Sequence, residues 1–164
     1  MPPPHPALWT IGYEAAGFGP FLATLRAAGI EVVIDVRDLP LSRRAGFSKR
    51  ILAASLEAAG IGYLHLRYLG TPKDGRAAAH RGDYPAFWAS VEERLATPEA
   101  GADLVRAAEA AGARRSALLC FEADPARCHR RRVAELLAQR FGFAVHHLHV
   151  DPFAPPAVTP TSGL

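Results

Sequence analysis

The stretch Ser116–Val150 reads SALLCFEADPARCHRRRVAELLAQRFGFAVHHLHV, and its reading decides the fold. It opens with a short apolar run, SALLCFE, bounded by a turn, which is the pattern of a buried strand. Asp124 and Pro125 supply an N-cap and an N1 proline, predicting a helix to about Arg140. Val133, Leu136 and Leu137 set the apolar face of that helix. FAVHHLHV then reads as another strand. Strand, helix and strand in succession form a βαβ unit, and its two strands must lie parallel.

The same alternation runs upstream. ALWTIG (Ala7–Gly12), EVVIDVR (Glu31–Arg37) and IGYLHL (Ile61–Leu66) read as strands. Between them, GPFLATLRAAG carries Phe21, Leu22 and Leu25 at helical spacing and stops at Gly29. Ser48 is expected to cap the helix KRILAASLEAA, which stops at Gly60. Asp83 caps a helix with Phe87, Trp88, Val91 and Leu95 on one face. Thr97, Pro98 and Glu99 start another, to about Ala111. The expected fold is α/β: a three-layer, Rossmann-like sandwich with a mostly parallel sheet of about five strands. The segments Arg37–Phe47 and Arg67–Gly82 are predicted to be long loops, and long loops in compact domains are often functional.

A chain of 164 residues is most simply one domain, expected over 7–150. The proline-rich ends, 1–6 and 151–164, are expected to be extended or disordered. No apolar run approaches a membrane span, and MPPPHP lacks the features of a signal peptide. With two cysteines, this suggests a cytoplasmic protein, with a Cys120–Cys128 disulfide the lesser reading. The net charge is +3, and of 19 basic residues only Lys49 and Lys73 are lysine. Arginine suits bidentate anion recognition, but codon bias also enriches it.

Ligands of such sheets bind beyond the carboxyl ends of the strands, so residues there are the candidates. Asp35 ends an apolar strand and is either a structural pin for the following loop or a direct participant. Arg37, Ser42, Arg43, Arg44 and Lys49 could cradle an anion or form a solvated basic loop. Cys120, at a strand end facing a helix N-terminus, is either a nucleophilic thiolate or an inert buried thiol. Glu122 is an acid/base candidate or an arginine partner. Stepping about 100° per residue, His129 and Arg130 fall on the inner face of the last helix, while Cys128 falls away from it. That divergence argues against a metal ligand set, so no metal and no cofactor are expected. Arginines at a helix start oppose the macrodipole, which suggests an anion there, bound by Arg130 and His129. The bland alternative is that Arg130 pairs internally with Glu122 or Asp35.

TIGYE, VVIDVRDLPLSRRAGFSK, IGYLHLRYLG and LLCFEADPARCHRRRVAELL together resemble a bacterial and archaeal family, domain of unknown function 488. The likeness covers roughly Leu8 to His149. It matches at Gly12, Tyr13, Asp35, Arg37, Pro40, Ser42, Phe47, Cys120, Glu122, Cys128, His129 and Arg130. It implies membership without a reaction. VVIDVRDLP and the Leu118–Leu148 segment also look like the two ends of a rhodanese domain. That likeness implies a Cys120 nucleophile and an anion bound by Arg127 or Arg130. The loop FEADPA departs from it by lacking glycine and serine donors.

The expected function is binding of an anionic small molecule or nucleic acid, most simply a nucleotide or nucleic-acid end. Tyr13, Arg37, Ser42, Lys49 and Arg130 would bind it. If the protein is an enzyme, it is a hydrolase or transferase using Glu122, His129 and Asp35. The alternatives are a Cys120-dependent rhodanese- or phosphatase-like thiol enzyme and a non-catalytic nucleic-acid-binding module. Oligomeric state is left open.

Overall fold

The structure is a computed structural model that describes residues 6–151. All but the innermost residue of each expected tail lies outside the described residues. The strands are β1 (Ala7–Gly12), β2 (Val32–Asp35), β3 (Gly62–His65), β4 (Ser116–Cys120) and β5 (Ala144–Leu148). The helices are α1 (Phe18–Ala27), α2 (Lys49–Ala58), α3 (Lys73–His80), α4 (Tyr84–Leu95), α5 (Pro98–Ala113) and α6 (His129–Phe141). The strands pair in the order β3-β2-β4-β1-β5, and every pairing is parallel.

This order makes the chain move one way from β1 to β3 and back the other way from β3 to β5. Right-handed crossovers then place the early helices on one face and the late ones on the other. The packing agrees. Phe21, Leu25, Leu52 and Leu56 of α1 and α2 join Ile11, Val33, Ala117 and Leu119 in one core. Val91, Leu104, Val133 and Leu137 of α4, α5 and α6 join Leu8, Ile34 and Leu118 in the other. Neighbouring residues of β4 thus enter opposite cores, as the period of two requires. Over the described residues, the chain is an α/β three-layer sandwich with an all-parallel five-stranded sheet.

Asp83 and Thr97 cap as expected, accepting from the amides of Ala86 and Ala100. Three local expectations are corrected. First, Ser48 stands at the N-cap of α2 without a side-chain cap bond. Its hydroxyl instead ties the loop, donating to the Ser42 carbonyl and accepting from the Ser42 amide. Second, the Arg67–Gly82 segment contains α3. KDGRAAAH lacks an apolar stripe, so periodicity misses it, and its Gly75 lets it sit close to α4. A Cβ at Gly75 would lie 2.7 Å from Ser90 Oγ and from Thr71 Cγ2. Third, Asp124 and Pro125 open only a 3-10 turn, Pro125–Arg127, and α6 begins later, at His129. Cys128 is its N-cap, in extended conformation (φ −118°, ψ 140°).

Candidate functional site

That third correction moves a side chain. In an extended residue the helical step of 100° does not apply, so Cys128 turns inward and is fully buried. His129 and Arg130 also point inward, as the periodicity of α6 requires; Arg130 is completely buried. Cys120 Sγ lies 3.5 Å from His129 Nδ1 and 3.5 Å from Glu122 Oε2. Cys128 Sγ lies 3.9 Å from the same Nδ1. The other ring nitrogen, Nε2, is 2.8 Å from the Val36 carbonyl oxygen. A carbonyl only accepts, so Nε2 carries a proton, and Nδ1 is the nitrogen that faces the sulfurs. Burial opposes the imidazolium, but Cys128, the Val36 carbonyl and Glu122 outweigh it and raise His129 above its ordinary value.

The electrostatics of this cluster follow from burial and its neighbours. Burial pushes the Cys120 thiol up, and the adjoining Cys128 and Glu122 add to the shift. Cys128 is the thiol that meets the helix N-terminus, receiving the Arg130 amide at 3.5 Å. Although burial opposes it, contact with Cys120, His129 and Arg130 holds Cys128 well below its ordinary value. From the sequence, that environment is expected at Cys120 instead. Burial and Cys128 push the Glu122 carboxyl up to about 7.

Asp35 and Arg37 form a second, fully paired group. Arg37 donates from Nε to Asp35 Oδ1 (2.9 Å), and from Nη2 to Oδ2 (2.7 Å). Its Nη1 reaches the Tyr13 hydroxyl (3.0 Å) and the Phe47 carbonyl (2.8 Å). Tyr63 donates its hydroxyl to Asp35 Oδ2 at 2.5 Å. Burial opposes the Arg37 charge, but Asp35 outweighs it and keeps the guanidinium firmly protonated. The bidentate pair ties the start of the β2 loop to the strand end, leaving Arg37 few donors for a ligand.

Arg130 is likewise occupied. It donates to Thr10 Oγ1 at 3.2 Å, to the Ala123 carbonyl at 3.2 Å and closely to the Glu122 carbonyl. It pins the loop after β4 onto β1, and Gly12 makes the approach possible. A Cβ at Gly12 would lie 1.8 Å from the Glu122 carbonyl oxygen. Lys49, exposed, approaches His65 Nδ1 at 3.2 Å.

A cleft of about 800 Å³ opens at the carboxyl edge of the sheet. Tyr13, Arg37, Ser42, Cys120, Glu122 and His129 all line it, whereas Asp35, Lys49, Cys128 and Arg130 do not. Apart from Arg43 and Arg44, its other walls come from residues that carry no local signal in the sequence. Asp38 is held by Arg76 (2.8 Å) and Arg94 (3.0 Å), with Arg67 at 3.8 Å. Thr71 is buried, and its hydroxyl has no hydrogen-bond partner among the described residues. Leu39, Leu41, Tyr84 and Phe121 are exposed on the rim. Arg43 and Arg44 also line the cleft, and neither is ion-paired among the described residues. Among the described residues, the Arg44 side chain spends only Nε, on the Ala16 carbonyl at 3.0 Å. The length of the Arg67–Gly82 segment was the one sequence signal for the α3 wall.

Among the described residues, no helix is long and apolar enough to cross a membrane. Neither a curated protein nor a solved structure matches the chain. A family model described as domain of unknown function DUF488 matches residues 19–137. That span takes in β2, β4, the loops that follow them and the start of α6, so the cleft and its cluster lie largely inside it, and the chain belongs to the DUF488 family.

Proposed function

We propose that the protein binds a phosphate-bearing ligand, a nucleotide or nucleic-acid end, in the cleft at the carboxyl edge of its sheet. One observation carries this reading: Arg43 and Arg44 stand adjacent at the cleft with no carboxylate partner among the described residues, while Arg37 and Arg76 there are ion-paired. Unspent guanidinium donors at a concave site suit phosphate oxygens. The exposed rings of Tyr84 and Phe121, with Leu39 and Leu41, offer a base a surface to stack on. Thr71 adds a hydroxyl in need of a partner. Arg37 and Arg130 then serve the site by holding its loops in place. Glu122, His129 and Cys120 line the same cleft, so hydrolysis or group transfer on the bound ligand is the reaction class they would support. The proposed setting is the reducing cytoplasm, where two free thiols persist.

The test is binding of a 5′-phosphorylated oligonucleotide and of a nucleoside monophosphate at low salt. The double change Arg43→Ala and Arg44→Ala is expected to weaken both by about tenfold or more, because each charge-assisted hydrogen bond contributes about 1.5–3 kcal/mol. Equal binding by the variant would remove the two arginines from the site. No binding of either probe by the unaltered protein would remove the reading.

A further inference from the structure

We propose that Cys120, Cys128 and His129 form a zinc(II) site, with Glu122, water or a bound ligand in the fourth position. The ligand atoms of the three residues all lie within 4.8 Å of one another, and all three residues are buried. Tetrahedral zinc, with about 2.3 Å to sulfur and about 2.0–2.1 Å to nitrogen, requires sulfur-to-nitrogen separations of about 3.6 Å. The separations from His129 Nδ1 are 3.5 Å to Cys120 Sγ and 3.9 Å to Cys128 Sγ. Glu122 Oε2, 3.5 Å from Cys120 Sγ, approaches from the cleft side.

Two independent features point the same way. The first is the orientation of His129. Its Nε2–H is held by the Val36 carbonyl, which aims Nδ1 at the sulfurs as the nitrogen that would ligate the ion. Metal-bound imidazoles are oriented by this kind of outer hydrogen bond. The second is charge. Arg130 is completely buried, and its side-chain partners among the described residues are all neutral: Thr10 Oγ1 and two carbonyls. A buried cation needs a compensating charge nearby. Zinc with two thiolates and the Glu122 carboxylate carries one net negative charge, and Arg130 grips the carbonyl of Glu122 itself.

Two thiolates and an imidazole select a borderline-soft ion over magnesium or calcium. A three-ligand set leaves one position open toward the cleft, because Cys120 and His129 line it. Ion binding displaces to solvent the protons that Cys120, Cys128 and His129 Nδ1 hold between them. The inference stands apart from the phosphate reading, since the ion can be titrated with the cleft empty.

The experiment uses the full chain, reduced and chelator-treated, titrated with cobalt(II) as the spectroscopic probe. One equivalent is expected to produce thiolate-to-cobalt charge-transfer absorption and tetrahedral d–d bands, both lost on adding zinc(II). Cys128→Ser and His129→Ala should each weaken binding by about 100-fold or more, at or beyond the loss seen for groups that only orient a ligand. Glu122→Gln should keep the charge-transfer band and change the d–d bands. Because Cys120 and Cys128 are the chain's two cysteines, the unaltered protein provides a second readout that needs no variant. One equivalent of zinc should slow alkylation of both thiols by at least about tenfold and raise Tm. Absence of a charge-transfer band, or thiols alkylated equally fast with and without zinc, overturns the site. So does recovery of the reduced protein's pair only as a disulfide.

Discussion

At the scale of single residues, Arg130 and Gly12 make one joint. Arg130 supplies donors to the carbonyls of Glu122 and Ala123, and Gly12 leaves room for the Glu122 carbonyl to cross β1. Arg130→Ala takes the donor from those two carbonyls and leaves buried Thr10 with His147 Nδ1, at 2.6 Å, as its remaining side-chain partner among the described residues. Its expected effect is a loss of about 3 kcal/mol or more in urea unfolding, from several bonds to a charged donor. An unchanged midpoint would mean that water replaces the guanidinium without difficulty. Gly12→Ala should cost about 1–3 kcal/mol, the range for overpacking, with backbone rather than a flexible side chain in the way. The same denaturation measurement checks it: a variant as stable as the parent would show that the loop after β4 yields freely.

At the scale of elements, Asp38 is the fastening between the β2 loop and α3, α4 and the turn at Arg67. Burial alone would raise its pKa, but Arg76 and Arg94 win and hold the carboxyl below its ordinary value. A depressed folded pKa contributes stability above the unfolded value, and that contribution is lost as pH falls through the folded value. Asp38→Asn should therefore lower stability near neutrality by about 1–2 kcal/mol. The gap between variant and parent should close as pH drops well below about 4. A difference independent of pH would show that shape, not charge, makes the fastening. α3 itself was illegible in the sequence because its helix is held by Gly75 packing on α4, a tertiary reason without a periodic signature. The capped helices α4 and α5 were legible because Asp83 and Thr97 act within three residues of themselves.

At the scale of the whole molecule, the reversal of chain direction between β3 and β4 opens the cleft. Loops after β1, β2 and β4 meet there, with α3 and α4 as the far wall. Charge is distributed to match. The arginines on the outer side of α6 are internally engaged: Arg131 lies over Trp88 at 5.3 Å, and Arg132 pairs with Glu92 and Glu135. A broad basic stripe there is thus largely neutralised, and the proposed phosphate contacts remain Arg43 and Arg44. Binding of the phosphorylated single strand should fall with salt at a log–log slope of about −1.4, two contacts at about 0.7 each. A much steeper slope would favour a nucleic-acid-binding module that engages a wide surface.

The sequence by itself determined the α/β class, the strand cores, two helix caps and the inward faces of His129 and Arg130. These follow from repeats of two and 3.6 residues and from capping bonds that close within a few positions. Only the tertiary structure decided the strand order, the helix at Lys73–His80 and which arginines keep their donors. Arg37 and Arg130 were conspicuous as a pair of anion binders; Asp35 stands two residues from Arg37, but Tyr13 and Thr10 lie 24 and 120 residues from the arginines they meet and cannot be read locally. Cys128 shows the reason most directly. Whether it faced outward or joined Cys120 and His129 depended on one extended residue at the start of α6. The path of the loop that closes β4 onto that helix sets this conformation, and a helical period cannot reach across the residue where the helix has not yet begun.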